Sequence, residues 1–258
     1  MENTIKKIVL FAVLTILFIA CTNENLAPLY GEQQPGKVVI KSYNAMEKDS
    51  VQLVANGVVK KIGKKDTFIK KIVDNYEFVF YENKVENIEV VSKASGKILK
   101  TYSYTVNKPV DTLSFYYNDG IWLDNVVSNK PGKLSSTNNT GYRFIFPTMN
   151  RYSNSGYNGS IDAIIRNYSG QVVGLVENIT KDRFSNFVEF IYSTPSVLNI
   201  ELVKHGTKES YINGKPIIIQ IGMQRNKSKL MVLDEKADAN GVFSKVEATI
   251  NLVDYFDF

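Results

Sequence analysis

Few residues in this chain could carry catalytic chemistry. His205 is the only histidine, and it stands at the exit of an apolar run, just before Gly206, where a turn residue is expected. To act as the base of a Ser-His-Asp arrangement it would need a nucleophile raised on a Gly-x-Ser-x-Gly elbow, a pattern the sequence lacks. Paired carboxylates can work without histidine, but the candidates Glu77, Glu89, Glu189 and Glu201 alternate with apolar residues, which sends them to the solvent face of strands. Asp238, Asn240, Gly241 and Glu247 match later positions of a helix-flanked calcium loop. Lys236 stands where that loop needs its first carboxylate, and the flanks read as strands, so neither a metal nor another cofactor is expected. The chain reads as non-catalytic.

Two places offer binding chemistry instead. The segment from Asn150 to Gly159 mixes tyrosine with asparagine, serine and glycine, a composition that combines rigid rings with adaptable hydrogen bonding. Tyr152, Asn154, Tyr157 and Asn158 are its candidate ligand contacts, of the kind a sugar needs for its C–H face and its hydroxyls; the alternative is a loop whose tyrosines pack against the body. Trp122, the sole tryptophan, is either a stacking platform or a packed residue between domains.

The elements that must position these residues are strands. Val51, Leu53 and Ala55 alternate with polar or outward positions before Asn56-Gly57. Tyr76, Phe78 and Phe80 do the same, and Leu113, Phe115 and Tyr117 run into Asp119-Gly120, from which Ile121 to Val126 return. An Asn-Gly or Asp-Gly pair between such runs predicts a type I′ hairpin, whose two central residues need positive φ. Val246, Ala248, Ile250 and Leu252 form one more alternating run, with one buried face expected. Fifteen tyrosines and fourteen phenylalanines in 258 residues, with 44% hydrophobic content, agree with a mainly β chain that has ample core.

Laid on itself with a shift of 112 positions, the chain repeats. Glu77-Phe78-Val79-Phe80 falls on Glu189-Phe190-Ile191-Tyr192, and Val85-x-Asn87-Ile88-Glu89 falls on Val197-x-Asn199-Ile200-Glu201. With small changes of shift, Ser50-Val51 meets Ser160-Ile161 and Lys65-Asp66-x-Phe68 meets Lys181-Asp182-x-Phe184. The expected fold is all-β, with two tandem immunoglobulin-like antiparallel β-sandwiches, residues 37–127 and 141–258, joined by a linker at 128–140. A single closed barrel is disfavoured by the duplication.

At the N-terminus, Lys6 and Lys7 precede an uncharged apolar run from Ile8 to Ala20 that ends on Cys21, the only cysteine. A basic start and an apolar stretch too short to span a bilayer describe a secretory signal over residues 1–20. Phe18-Ile19-Ala20-Cys21 resembles the lipobox of bacterial lipoproteins, with Phe18 where Leu is usual. The resemblance implies that Cys21 is acylated, palmitate being a typical chain, and becomes the new N-terminus. Buried acyl chains at about 0.8 kcal/mol per CH2 then hold the protein on a membrane. Thr22, where Asp would signal retention at the inner membrane, implies the outer membrane by the same resemblance. Glu24 is a lone acid where some lineages place an export cluster, which leaves periplasmic and surface faces open. Residues 21–36, rich in Asn, Gln, Pro and Gly, are expected to be a tether.

The formal charge of +5, or +4 without Lys6, Lys7 and Glu2, is small and its Lys and Glu are interspersed, so nucleic acid is not an expected partner. Signal, tether and tandem layout resemble the accessory glycan-binding lipoproteins of starch-utilisation-type uptake systems. They resemble equally the uncharacterised envelope lipoproteins with duplicated β domains. The first likeness implies a glycan ligand. The rival role is structural or adhesive, as a fimbria-associated subunit or a tether for an envelope protein partner, and exposed sandwich edges would suit it.

Overall fold

The computed structural model describes residues 33–82 and 84–258. Cys21, the apolar run before it and most of the expected tether lie outside the described residues. The first half holds β1 (Gln33–Asn44), β2 (Val51–Ala55), β3 (Val58–Val59), β4 (Lys70–Tyr81), β5 (Glu86–Ser92), β6 (Ile98–Tyr104), β7 (Val110–Leu113), β8 (Phe115–Asn118) and β9 (Ile121–Asp124). The second holds β10 (Asn139–Ile145), β11 (Ile161–Asn167), β12 (Val172–Ile179), β13 (Val188–Ile191), β14 (Val197–Lys204), β15 (Ile218–Gly222), β16 (Lys227–Ala237) and β17 (Phe243–Asn251). Among the described residues no helix is long and apolar enough to cross a membrane.

Each half is a β-sandwich, and the two share one topology. In the first, one sheet runs β4-β1-β8-β9, with β7 also on β1, and the other β3-β2-β5-β6. In the second, the sheets run β13-β10-β16-β17 and β12-β11-β14-β15. The repeated sequences fall on equivalent strands, β4 with β13 and β5 with β14. The sheets are not purely antiparallel: β1 runs parallel to β7 and β8, and β10 parallel to β16. In both halves an early strand and a late strand lie side by side in one sheet, and most of the strands between them form the opposite sheet.

Period-two alternation builds the cores. Val38, Ile40, Leu53, Ile72, Phe80, Ile88, Val90 and Phe115 fill the first sandwich. Tyr142, Phe144, Ala163, Ile165, Ile200, Leu202, Tyr211 and Leu233 fill the second. The hairpins close as expected: Asn56 and Gly57 have φ of 46° and 82°, and Asp119 and Gly120 have 41° and 75°.

A third apolar cluster joins the halves. Tyr116, Ile121 and Leu123, on the face of β8 and β9 opposite to Phe115, meet Ile145 of β10, Leu230 and Val232 of β16 and Ile250 of β17. Met231 and Leu233, their neighbours on β16, point the other way into the second core. The β1 and β10 sheets are thus covered on both faces where they meet. The final alternating run does not keep one face. A bulge, where Val232 pairs with Ile250 but Asp234 with Glu247, sends Val246 into the second sandwich and Ile250 into the cluster between the halves.

Strand β1 begins at Gln33, so residues 33–36 of the expected tether pair with the end of β4. Gly36 permits this, because a Cβ there would lie 2.5 Å from the ring of Phe78. The expected linker is strapped down rather than loose: Gly132 and Gly141 both press on the ring of Phe187, and the Glu189 carboxylate accepts from the Ser135 N–H and hydroxyl and the Asn139 amide.

Candidate functional site

Trp122 and Asp124 lie on β9, the edge strand of the β1 sheet, on the face turned towards the first sandwich core. The indole stacks on Phe115 with centroids 4.6 Å apart and planes at 16°, and Tyr117 flanks it at 5.4 Å. Its Nε1–H donates to Asp124 Oδ1 at 2.7 Å, Tyr102 of β6 donates its hydroxyl to the same oxygen, and Lys100 Nζ sits 2.9 Å from Oδ2. Burial pushes the Asp124 carboxyl up, but these donors outweigh it and hold it below the ordinary carboxylate range. The sandwich edge is therefore closed by one carboxylate that fixes the orientation of the indole.

Beside this edge opens a cleft of about 510 Å³ between the two halves. Its first wall is Lys100, Trp122 and Asp124 with the Asn125–Asn129 turn, and its second is Lys181, Asp182, Arg183 and Phe184 from the β12–β13 loop, with Leu123 and Ile145 of the interdomain cluster beneath. The second wall is braced internally, since the Thr180 hydroxyl donates to Asp182 Oδ1 at 2.8 Å and accepts the Arg183 N–H at 3.1 Å. The cleft thus sets a half-buried ring and a row of polar side chains on two braced walls.

The Asn150–Gly159 loop has a different organisation. The Glu235 carboxylate of β16, 1% exposed, accepts the N–H groups of Asn150, Tyr152 and Ser153, the Ser153 hydroxyl and the Tyr211 hydroxyl. Burial raises this carboxyl, and the loop donors more than reverse the effect. Asn150 and Asn154 adopt positive φ, 66° and 47°, which asparagine tolerates well. Tyr157 donates its hydroxyl to Ser160 O and accepts the His205 N–H, while Tyr152 lies under Arg151. Asn154 and Asn158 are exposed. Arg151 reaches the first half, donating to Asp119 O at 2.9 Å. The loop residues are not brought to the Trp122 cleft, none of them lining it.

The carboxylates considered for catalysis stand on separate strands with separate partners: Glu77 with Lys37, Glu189 with Ser135 and Asn139, Glu201 with Arg166. His205 is more than a turn residue, because its Nδ1 lies 2.9 Å from Oδ1 of the buried Asp162. Asp238 accepts the N–H groups of Asn240 and Val242 in the β16–β17 turn. A larger depression, about 830 Å³, covers the outer face of the β11 sheet around the Arg166–Glu201 pair. Lys60, Lys61, Lys64 and Lys65 form a basic run in the chain between β3 and β4.

Sequence reasoning singled out Trp122, as either a stacking platform or a packed residue, but not the side chains that surround it. The signal for the second wall was the Lys181-Asp182-x-Phe184 match to Lys65-Asp66-x-Phe68. Those residues are not equivalent in space: Phe68 enters the first core, whereas Phe184 packs on the interdomain cluster.

No protein-family model and no curated protein sequence matches this chain. Among solved structures it is similar to the TIE protein of Bacillus anthracis, at 8% identity and TM-score 0.25 over 83% of this chain and 34% of that one. It is also similar to streptococcal family 41 carbohydrate-binding modules described for alpha-glucan recognition, at 11% identity and TM-score 0.26 over 87% of this chain and 100% of that one. A family 26 carbohydrate-binding module of Eubacterium rectale, in complex with maltoheptaose, overlaps at 10% identity and TM-score 0.22 over 86% of this chain and 100% of that one.

Proposed function

We propose that this protein is a non-catalytic binding protein, anchored through acylated Cys21 to the outer membrane, that takes a glycan in the cleft between its two sandwiches. The observation that carries the binding reading is the fixed indole of Trp122 beside the polar groups of Asn125, Asn129, Lys181, Asp182 and Arg183. A sugar offers C–H groups on its faces and hydroxyls at its rim, and a ring set next to hydrogen-bonding side chains answers both. The ring is held by Phe115 and Asp124 before any ligand arrives, so little rotamer freedom remains to be lost on binding.

Affinity electrophoresis and calorimetry against a panel of neutral and acidic polysaccharides test the reading. Binding that Trp122→Ala weakens and that Tyr152→Ala with Tyr157→Ala leaves intact supports it. A wild-type protein that retards with none of the panel overturns it. The anchor is tested separately: Cys21→Ser should move the protein from the membrane fraction to the soluble one, and a free thiol in the mature wild type would remove the anchor from the proposal.

A further inference from the structure

On the reading that acylated Cys21 anchors the chain in a membrane, we infer that the end of the first sandwich where β1 begins is a lipid-contacting face, seated on the headgroups of that same bilayer. Strand register assembles an apolar patch there. Gly36 and Val38 turn into the sandwich, so Gln33, Pro35 and Lys37 turn outward; Gln33 pairs with Tyr81 and Pro35 with Val79 of β4, and Lys37 pairs with Val110 of β7. Pro35, Val79, Tyr81 and Val110 therefore share the outer face on three adjacent strands, and all four are exposed. The turns at this end extend the patch. Val58 follows the Asn56-Gly57 hairpin and Val85 lies in the β4–β5 turn, both exposed. The Lys84 N–H donates to Tyr81 O at 3.0 Å, the Asn56 N–H to Asn87 O at 3.1 Å and Gln34 Nε2 to Val106 O at 3.2 Å, which ties these segments to one end. Farther along the same outer face, Tyr43 and Tyr116 pack into the cluster between the halves. The stretch nearest Gln33 has no such cover among the described residues.

The place where the chain enters the fold indicates what covers it. Only residues 22–32 separate Cys21 from Gln33, and that length of chain spans at most about 40 Å. Acyl chains in a bilayer thus keep this end close to the lipid at a high effective concentration, where a patch too small to bind vesicles from solution is sufficient. The charges around the patch are paired: Lys37 with Glu77 at 3.1 Å, Lys84 with Glu82 at 3.8 Å and Lys108 with Asp111 at 2.7 Å. Contact therefore rests on apolar burial, which salt does not screen as it screens charge. An amphipathic tyrosine ring suits the headgroup level. The strand ends carry polar backbone groups, so the contact stops at that level and does not enter the hydrocarbon.

Cys21 is the only cysteine, so once it is acylated an introduced cysteine takes a single label. The full acylated protein, with acylation verified by mass, carries a small fluorophore at Tyr81→Cys or Val110→Cys, or at Ile98→Cys as a control. Ile98 is exposed at the opposite end of the sandwich, where β6 begins beside Val91. Each protein is reconstituted in phosphatidylcholine vesicles with and without lipid bearing a nitroxide at the top of the acyl chain. Side chains at an interface enter it by about 5–10 Å, so nitroxide should lower the emission of the Tyr81 and Val110 labels about twofold or more relative to the Ile98 label. The loss should persist in high salt, and Val58→Asn with Val79→Asn should reduce it for the Val110 label. Equal quenching at all three positions overturns the lipid contact while leaving the anchor in place. Labels shielded from aqueous iodide yet not reached by the lipid nitroxide put another part of the protein on the patch, which also overturns it. Quenching abolished by high salt overturns the apolar assignment, and a free Cys21 thiol removes the anchor and the inference with it.

Discussion

The Tyr104 hydroxyl is buried and has no hydrogen-bond partner among the described residues, and burial raises its pKa. Folding strips this group of water and returns nothing, so Tyr104→Phe is expected to leave stability unchanged or raise it by about 1 kcal/mol, read as a higher urea midpoint. A lower midpoint would reveal a partner. His205 carries the opposite balance. Its contact with Asp162, a hydrogen bond reinforced by charge, raises its pKa above 6.5. The sign follows: a raised pKa means that the contribution is fully present below 6.5 and fades as pH rises through the folded value. Because His205 is the only histidine, its NMR titration is a single resolvable curve. Asp162→Asn should shift that curve to lower pH, and an unmoved curve would remove the pairing. The sequence placed His205 at a turn, and that much is local. Its partner comes from another strand, which no spacing along the chain reveals.

At the scale of elements, Glu235 at the end of β16 organises a loop more than 80 positions away, the separation from Ser153 being 82. Glu235→Ala would leave N–H groups of Asn150, Tyr152 and Ser153 and the buried Tyr211 hydroxyl without their acceptor, at a cost of about 3 kcal/mol or more. Glu235→Gln should cost less than Ala yet still destabilise, since the amide exchanges one acceptor oxygen for a donor facing donors. Calorimetric melts of both variants check the order. The lowered pKa sets the acid behaviour: this contribution is complete above the ordinary value of 4.5 and is lost as pH falls through the folded value. The same contacts explain the composition of the loop. Its asparagines and serines turn the backbone and cap one another, as when Ser155 donates its hydroxyl to Asn150 Oδ1 and Asn150 donates to Tyr157 O. A binding loop and a strapped structural loop share this composition, so composition alone could not separate them.

At the scale of the whole molecule, the two sandwiches are joined by packing as well as by chain. Tyr116, Leu230, Val232 and Leu252 are fully buried where the halves meet. Tyr43 packs edge-on to Tyr255 at 4.7 Å, and Lys71 pairs with Asp257. Linked domains move independently by default unless their interface is large and apolar. The described residues are therefore expected to unfold in one calorimetric transition. Val232→Asp, which buries an unpaired charge at the junction, should split it into two. Two transitions in the wild type would contradict a fused junction. The Trp122 cleft depends on the same packing, because its walls come from different halves and only a fixed junction keeps them at one spacing.

Alternation and turn chemistry are properties of neighbouring residues, and they suffice to read the strands, the Asn56-Gly57 and Asp119-Gly120 hairpins, the all-β class and the duplication from the chain. A period of two marks that a strand has two faces and which one is apolar, but not what covers the second face. Tyr116 and Ile121 met the other sandwich, and a bulge in β17 divided one apolar run between two clusters. These outcomes, the Glu235 anchor and the companions of Trp122 belong to the folded molecule. Each is a contact between residues far apart in the chain, fixed by how the sheets stack.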